Sequence, residues 1–115
     1  ILNEDRHFGN FGFLIDNKSN KIVGCAPIFD NGLSLLCYAM DDDFKNINQC
    51  IQTRLPATYQ DFIAFVKPRI TKRQKEKLRK LIGFKFESHY KYRLPRKRLK
   101  YLEEIIQKRV LELLE

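Results

Sequence analysis

The sequence predicts an α+β fold that is mainly helical: a β-hairpin near the N-terminal end, followed by three or four helices. Three observations predict it. Two apolar runs of strand length flank a polar cluster within residues 11–29. Apolar residues recur at helical spacing from Phe44 onward. Residues that start or stop helices punctuate that second part at Thr58, Thr71, Gly83 and Pro95.

The first run, Phe11 to Asp16, reads FGFLID, and the second, Lys21 to Phe29, reads KIVGCAPIF. Both are apolar at successive positions, the pattern of strands buried on both faces. Asn17-Lys18-Ser19-Asn20 between them is turn chemistry. Pairing about that turn brings Asn10 and Asp30 to the same open end of the hairpin. Asp41-Asp42-Asp43 makes a turn or opens a short helix. Phe44 to Arg54 is helical, with Phe44, Ile47 and Ile51 on one stripe, until Leu55-Pro56 interrupts it.

Thr58, three residues before Asp61, caps a helix carrying Tyr59, Phe62, Ile63 and Val66, and Pro68 ends or kinks it. Thr71 and Gln74 form a capping box for the next helix. Leu78, Leu81 and Ile82 are its apolar stripe, and Gly83 suits its C-terminal cap. Residues 84–93, mixed aromatic and basic, read as a loop or a short extended piece. Pro95 fits the first turn of a final helix whose apolar face runs from Leu99 through Leu102, Ile105, Ile106 and Val110 to Leu113 and Leu114.

At 115 residues the chain is one domain or part of one. With 43% hydrophobic and 12% aromatic residues it can pack a core, which argues against disorder. No apolar run approaches the roughly 20 residues that cross a bilayer, and the polar, acidic opening is unlike a signal peptide. Cys25, Cys37 and Cys50 are odd in number and lack close C-x-x-C spacing. That argues against a disulfide framework or a zinc site and points to a reducing cytoplasm. The net charge is +8, divided into −3 over residues 1–50 and +11 over the rest. A basic half of this kind attracts nucleic acid, acidic proteins or nucleotide phosphates, and it is equally the ordinary solvated face of amphipathic helices.

The chemistry-bearing residues sit in the acidic half. Transfer of a phosphoryl group from ATP asks a protein for a carboxylate that orients the attacking hydroxyl and for oxygen ligands that hold magnesium on the phosphates. A D-x-x-x-x-N loop places the carboxylate and one ligand together, and an aspartate after the next strands completes the metal site. Asp5-Arg6-His7-Phe8-Gly9-Asn10 has that spacing, and Asp30-Asn31-Gly32 stands where the second aspartate is needed. The glycine after Asp30 allows the chain to turn sharply. Gly9 and Gly12 do not form a nucleotide-binding glycine loop, since no G-x-G-x-x-G occurs.

NEDRHFGNFGFL followed by PIFDNGLSLL resembles the catalytic and metal-binding segments of the HipA-like serine/threonine kinases. DRHFGN is also similar to the DRHxxN loop of the phosphatidylinositol 3- and 4-kinases. The likeness covers residues 3–36, and the helical remainder fits an all-helical C-terminal lobe in general terms. It implies that residues 1–115 are the C-terminal, catalytic part of a kinase domain that uses ATP and Mg2+ on a protein substrate. Asp5 would be the catalytic aspartate, with His7 holding the loop or approaching a phosphate. Asn10 and Asp30 would bind the metal and, through it, the nucleotide. Arg6 would pair with Asp30 or a phosphate, and Gly32 to Asp43 would be the activation segment, bearing the hydroxyls of Ser34 and Tyr38. A DNA-binding antitoxin, as in a toxin–antitoxin pair, is the partner class the likeness implies.

Only four residues precede Asp5. The phosphate-covering loop, strand lysine and adenine hinge of a kinase N-terminal lobe are therefore expected from another part of a longer polypeptide or from a separate chain, and no activity is expected from residues 1–115 alone. Three other readings remain. A lipid or small-molecule kinase would use the same phosphate-handling residues. An inactive pseudokinase scaffold would lack the complete nucleotide site. A basic nucleic-acid-binding module would use KPRITKRQKEKLRK and KYRLPRKRLK with Tyr90, Tyr92 and Tyr101 interleaved.

Overall fold

The structure, a computed structural model, describes residues 2–57 and 61–115. Turn chemistry closes a hairpin where the sequence places one. Asp16 Oδ1 accepts from the Lys18 amide at 3.0 Å, the Ser19 amide at 2.7 Å and the Ser19 hydroxyl at 2.8 Å. The Ser19 amide, and next its hydroxyl, hold the Asp16 carboxyl below the usual carboxylate range. Asn20 takes the left-handed conformation, φ 53°, which asparagine tolerates better than most residues. The Asp16 amide then donates to the Lys21 carbonyl at 2.9 Å.

Strands β1 (Phe13–Ile15) and β2 (Ile22–Cys25) pair antiparallel, Phe13 opposite Cys25 and Leu14 opposite Gly24, with an irregularity between Leu14 and Ile15. They are shorter than the apolar runs that predict them. They also differ in burial: Phe13, Leu14, Ile15, Ile22 and Val23 are exposed. The expectation of buried strands is corrected for a physical reason. Burial on both faces needs a layer on each side, and among the described residues no helix packs broadly over either strand.

The core lies in the helical part. A 3-10 turn over Asp43–Asn46 runs into α1 (Ile47–Thr53), whose N-cap is Asn46, accepting from the Gln49 amide at 3.1 Å. Phe44, Ile47 and Ile51 are buried, as their stripe requires. They pack with Leu2, Leu36, Ala39 and Ile105. Tyr101 stacks parallel to Phe44 with ring centroids 4.9 Å apart.

Helix α2 (Phe62–Val66) is capped by Asp61, which accepts from the Ala64 amide at 2.9 Å. The expected cap at Thr58 and the helical position of Tyr59 lie outside the described residues. The Thr71–Gln74 capping box is present at the start of α3 (Lys72–Arg79), with Thr71 N–H to Gln74 Oε1 at 2.8 Å and Gln74 N–H to Thr71 Oγ1 at 3.2 Å. Helix α3 ends at its C-cap Lys80 and not at the expected Gly83, so Leu81 and Ile82 of the expected stripe lie beyond it and are exposed; Gly83, φ +76°, takes the left-handed conformation that glycine enters freely. Residues 84–95 form a loop. Pro95 sits at the N-cap of α4 (Arg96–Leu114), one residue ahead of the first turn.

Helix α4 is the centre of the helical part, packing on α1, α2 and α3. Leu102, Ile105 and Val110 on its predicted face are buried, while Leu99, Ile106, Leu113 and Leu114 are half-buried. Glu103 is buried beside them. It accepts from Lys85 Nζ at 2.8 Å and from the Phe86 amide at 3.0 Å, and these two bonds hold its carboxyl below the usual glutamate range. The described residues thus form an α+β fold, mainly helical, with four α-helices and one two-stranded antiparallel hairpin. Among them, no helix is long and apolar enough to cross a membrane.

Candidate active site

A 3-10 turn over Phe8–Asn10 closes the loop that begins at Asp5. His7 caps the turn: its Nδ1 accepts from the Gly9 amide at 3.0 Å, and its own amide donates to Asn10 Oδ1 at 3.1 Å. Gly9 permits this arrangement, because a Cβ there would fall 2.8 Å from His7 Cε1. His7 is therefore a loop-holding residue through Nδ1, and only Nε2 is left for other chemistry.

Asn10 is buried, 5% exposed. Its Nδ2 donates to Asp30 Oδ2 at 2.8 Å, so the two residues that the hairpin is expected to bring together are in direct contact. Asp30 is exposed and has φ 54°. The sharp turn after the hairpin is made at Asp30 itself. Gly32, expected to supply it, does not have a positive φ. Aspartate is among the few residues that enter the left-handed region at modest cost.

Two further residues lock this corner. Asn3 is buried; it donates Nδ2 to the Asp30 carbonyl at 2.9 Å and accepts from the Asp5 amide at 3.1 Å. The sequence reading missed it. An asparagine two residues ahead of Asp5 is the spacing of an Asx turn, a signal that was present locally. Arg6 donates Nη1 to the Asn10 carbonyl at 3.1 Å and to the Phe29 carbonyl at 3.0 Å, and Nη2 to Asn31 Oδ1. It straps the loop to the segment after β2. Asp5 is exposed in the same loop, held through its amide.

The loop is fixed to the helical part at Glu4. The Glu4 carbonyl accepts from the Ala57 amide at 3.0 Å, and its carboxylate lies 3.4 Å from Arg54, which also approaches Asp43 at 3.8 Å. Behind the loop lies a cleft of about 460 Å³, bounded by Asn3, Arg6 and Asn10 on one side and by Phe13, Ile28 and Leu113 among its apolar walls.

The segment downstream of Asp30 is held by α4. Leu35 and Leu36 have φ of 55° and 53°, a conformation costly for leucine. Arg98 offsets it by donating Nη1 to the Ala39 carbonyl and Nη2 to the Leu36 carbonyl, both at 2.8 Å, with its guanidinium 5.1 Å from the Phe44 ring centroid. Within this segment Ser34 Oγ is buried with no hydrogen-bond partner among the described residues, and Tyr38 is exposed.

Among the described residues no group of three or more His, Cys, Asp or Glu gathers to hold a metal ion. The corner offers one carboxylate, Asp30, and one amide oxygen, Asn10 Oδ1. Such oxygens are the donors that a hard cation such as magnesium takes, but in this geometry Asn10 Oδ1 accepts from the His7 amide and Asn10 Nδ2 faces Asp30, so the Asn10 amide must turn over before both oxygens reach one ion. The set does not fit zinc, which favours nitrogen and sulfur. Cys25, Cys37 and Cys50 are free thiols, and burial, followed by the nearby Asp43 charge, raises the pKa of Cys50. Compared with family models, curated proteins and solved structures, the chain matches none of them.

Proposed function

We propose that residues 1–115 are the catalytic-loop and metal-binding part of a kinase-type phosphotransferase, as their likeness to the HipA-like serine/threonine kinases implies. The observation that supports this most directly is the 2.8 Å contact between Asn10 Nδ2 and Asp30 Oδ2, with Asp5 at the head of the same loop. Asp5 heads the loop whose Asn10 meets Asp30, the sequence pattern of residues that phosphoryl transfer uses. Asp5 accepts or orients the proton of the attacking hydroxyl. Asn10 and Asp30 hold magnesium, which when bound neutralises charge on the phosphates of ATP. Asn3, Arg6 and His7 keep the loop in shape.

In this proposal the helical part is a kinase C-terminal lobe. The nucleotide-covering lobe comes from elsewhere in a longer polypeptide or from a second chain, and the setting is a reducing cytoplasm. The substrate is a protein hydroxyl, and a DNA-binding antitoxin is the partner that the likeness suggests. A lipid or small-molecule hydroxyl would be served by the same three residues, so a serine-containing peptide and an inositol lipid offered side by side decide between them.

The experiment is an intact mass measurement before and after incubation with magnesium and ATP. The 13.7 kDa chain alone should gain no phosphate. Joined to its nucleotide-covering half it should gain phosphate, and Asp5→Asn and Asp30→Asn should each abolish the gain while circular dichroism stays unchanged. Phosphorylation that survives Asp5→Asn overturns the proposal.

A further inference from the structure

The basic half of the chain includes one short stretch, rich in cations and free of carboxylates, that the phosphotransfer site does not use. Residues 88–100 contain six Lys and Arg and no Asp or Glu. Arg98 is spent on the Leu36 and Ala39 carbonyls. Lys91, Arg93, Arg96, Lys97 and Lys100 are exposed. The stretch runs into the N-terminal end of α4, where Pro95 leaves the first-turn amides without a capping side chain and the first turn holds no acidic residue. The positive end of the helix dipole therefore adds to the charge of the side chains.

Two large rings stand in this field. Tyr90 is 81% exposed and Tyr92 is 73% exposed. Their placement is built, not loose. His89 Nδ1 accepts from the Lys91 amide at 3.1 Å and from the Tyr92 amide at 2.9 Å, closing a tight turn. The imidazole lies 4.7 Å from the Tyr90 ring and 5.4 Å from the Tyr92 ring, inclined by 29° and 22°. Tyr101, by contrast, spends its ring on Phe44. A stacked, solvent-facing aromatic cluster bordered by cations offers two different contacts: flat π-faces and phosphate partners.

We propose that residues 89–100 form a binding surface for single-stranded nucleic acid, with bases stacking on Tyr90 and Tyr92 and phosphates pairing with Lys91, Arg93, Arg96, Lys97 and Lys100. Every base has a π-face, so the surface tolerates any sequence. A duplex hides those faces and offers only its phosphates. An acidic peptide would engage the cations and gain nothing from the rings. This surface is independent of the proposed phosphotransfer.

The test is fluorescence anisotropy of the full chain with fluorescein-labelled oligothymidylate and oligouridylate over a salt series. Both oligomers should bind, more tightly than a duplex of equal length. Affinity should fall with salt, and each Lys→Gln or Arg→Gln change in the patch should lower the log–log slope by about 0.7. Tyr90→Ala and Tyr92→Ala should each weaken binding about ten-fold, while Tyr90→Phe and Tyr92→Phe retain it. Both rings are exposed, so circular dichroism should not change. The proposal is overturned by no binding at low salt, by affinity that ignores the alanine changes, or by polyglutamate or phosphatidylserine vesicles competing as well as the unlabelled oligonucleotide.

Discussion

The Asn3 side chain joins two segments that lie 27 residues apart, donating Nδ2 to the Asp30 carbonyl at 2.9 Å while accepting from the Asp5 amide. Asn3→Ala removes the partner of the part-buried Asp30 carbonyl and of the Asp5 amide, which costs about 1 kcal/mol. Asn3→Asp should cost more, because it replaces the donor with a negative oxygen facing a carbonyl oxygen. Urea unfolding with fluorescence or circular dichroism measures both. An Asn3→Ala variant as stable as the parent would show that the bridge contributes nothing.

Arg98 is the second long-range strap. Its two 2.8 Å bonds to the Leu36 and Ala39 carbonyls hold a pair of leucines in the left-handed region. Arg98→Ala should destabilise the chain by about 2–3 kcal/mol, the scale of hydrogen bonds to a charged group. Arg98→Lys should recover only part of that, since an ammonium cannot reproduce the planar fork. Hydrogen exchange should localise the loss to residues 34–40.

Phe44 is deeply buried, 2% exposed, stacked on Tyr101 and with the Arg98 guanidinium over its ring. Phe44→Ala should cost about 3–5 kcal/mol through the cavity it leaves. In a domain whose total stability is about 5–15 kcal/mol, that removes much of the folded population. Phe44→Leu, closer in volume, should cost less, and thermal unfolding of the pair checks the order.

Glu103 sets an acid-sensitive point. Lys85 Nζ and the Phe86 amide lower its pKa in the folded chain. A carboxyl depressed on folding adds stability above its unfolded pKa, and that stability is lost as pH falls through the folded pKa. The parent should therefore lose Tm on acidification below the usual glutamate range. Glu103→Gln should start less stable at neutral pH and show a shallower acid limb. Parallel acid limbs would mean that Glu103 does not supply the dependence.

Local signals in the sequence carry over to the structure. The polar turn at residues 17–20, the Thr71–Gln74 box and the Phe44–Ile47–Ile51 stripe each act through neighbours a few residues away, and each has its expected place. The Asn10–Asp30 contact was legible for the same reason, because a hairpin maps sequence distance onto spatial proximity. Long-range partners were not legible. Arg98 reads as one more cation in a basic run, and its targets lie about sixty residues upstream. Glu103 reads as a polar interruption of an apolar face until Lys85 and Phe86 are seen to satisfy it. Strand burial was misread because apolar composition states what a surface prefers, not whether a covering layer is present.

A sheet of two strands is all edge. Strands β1 and β2 each turn one row of main-chain groups toward the other and the second row outward, where a further strand can add by backbone pairing. Exposed Phe13, Ile15, Ile22 and Val23 make that addition favourable. The net charge of +8 keeps copies of the chain apart at low ionic strength, and salt screens it. Colloidal behaviour should thus turn on a few residues of the ribbon: as salt rises, self-association starts there, and a lysine placed outward on β1 delays it.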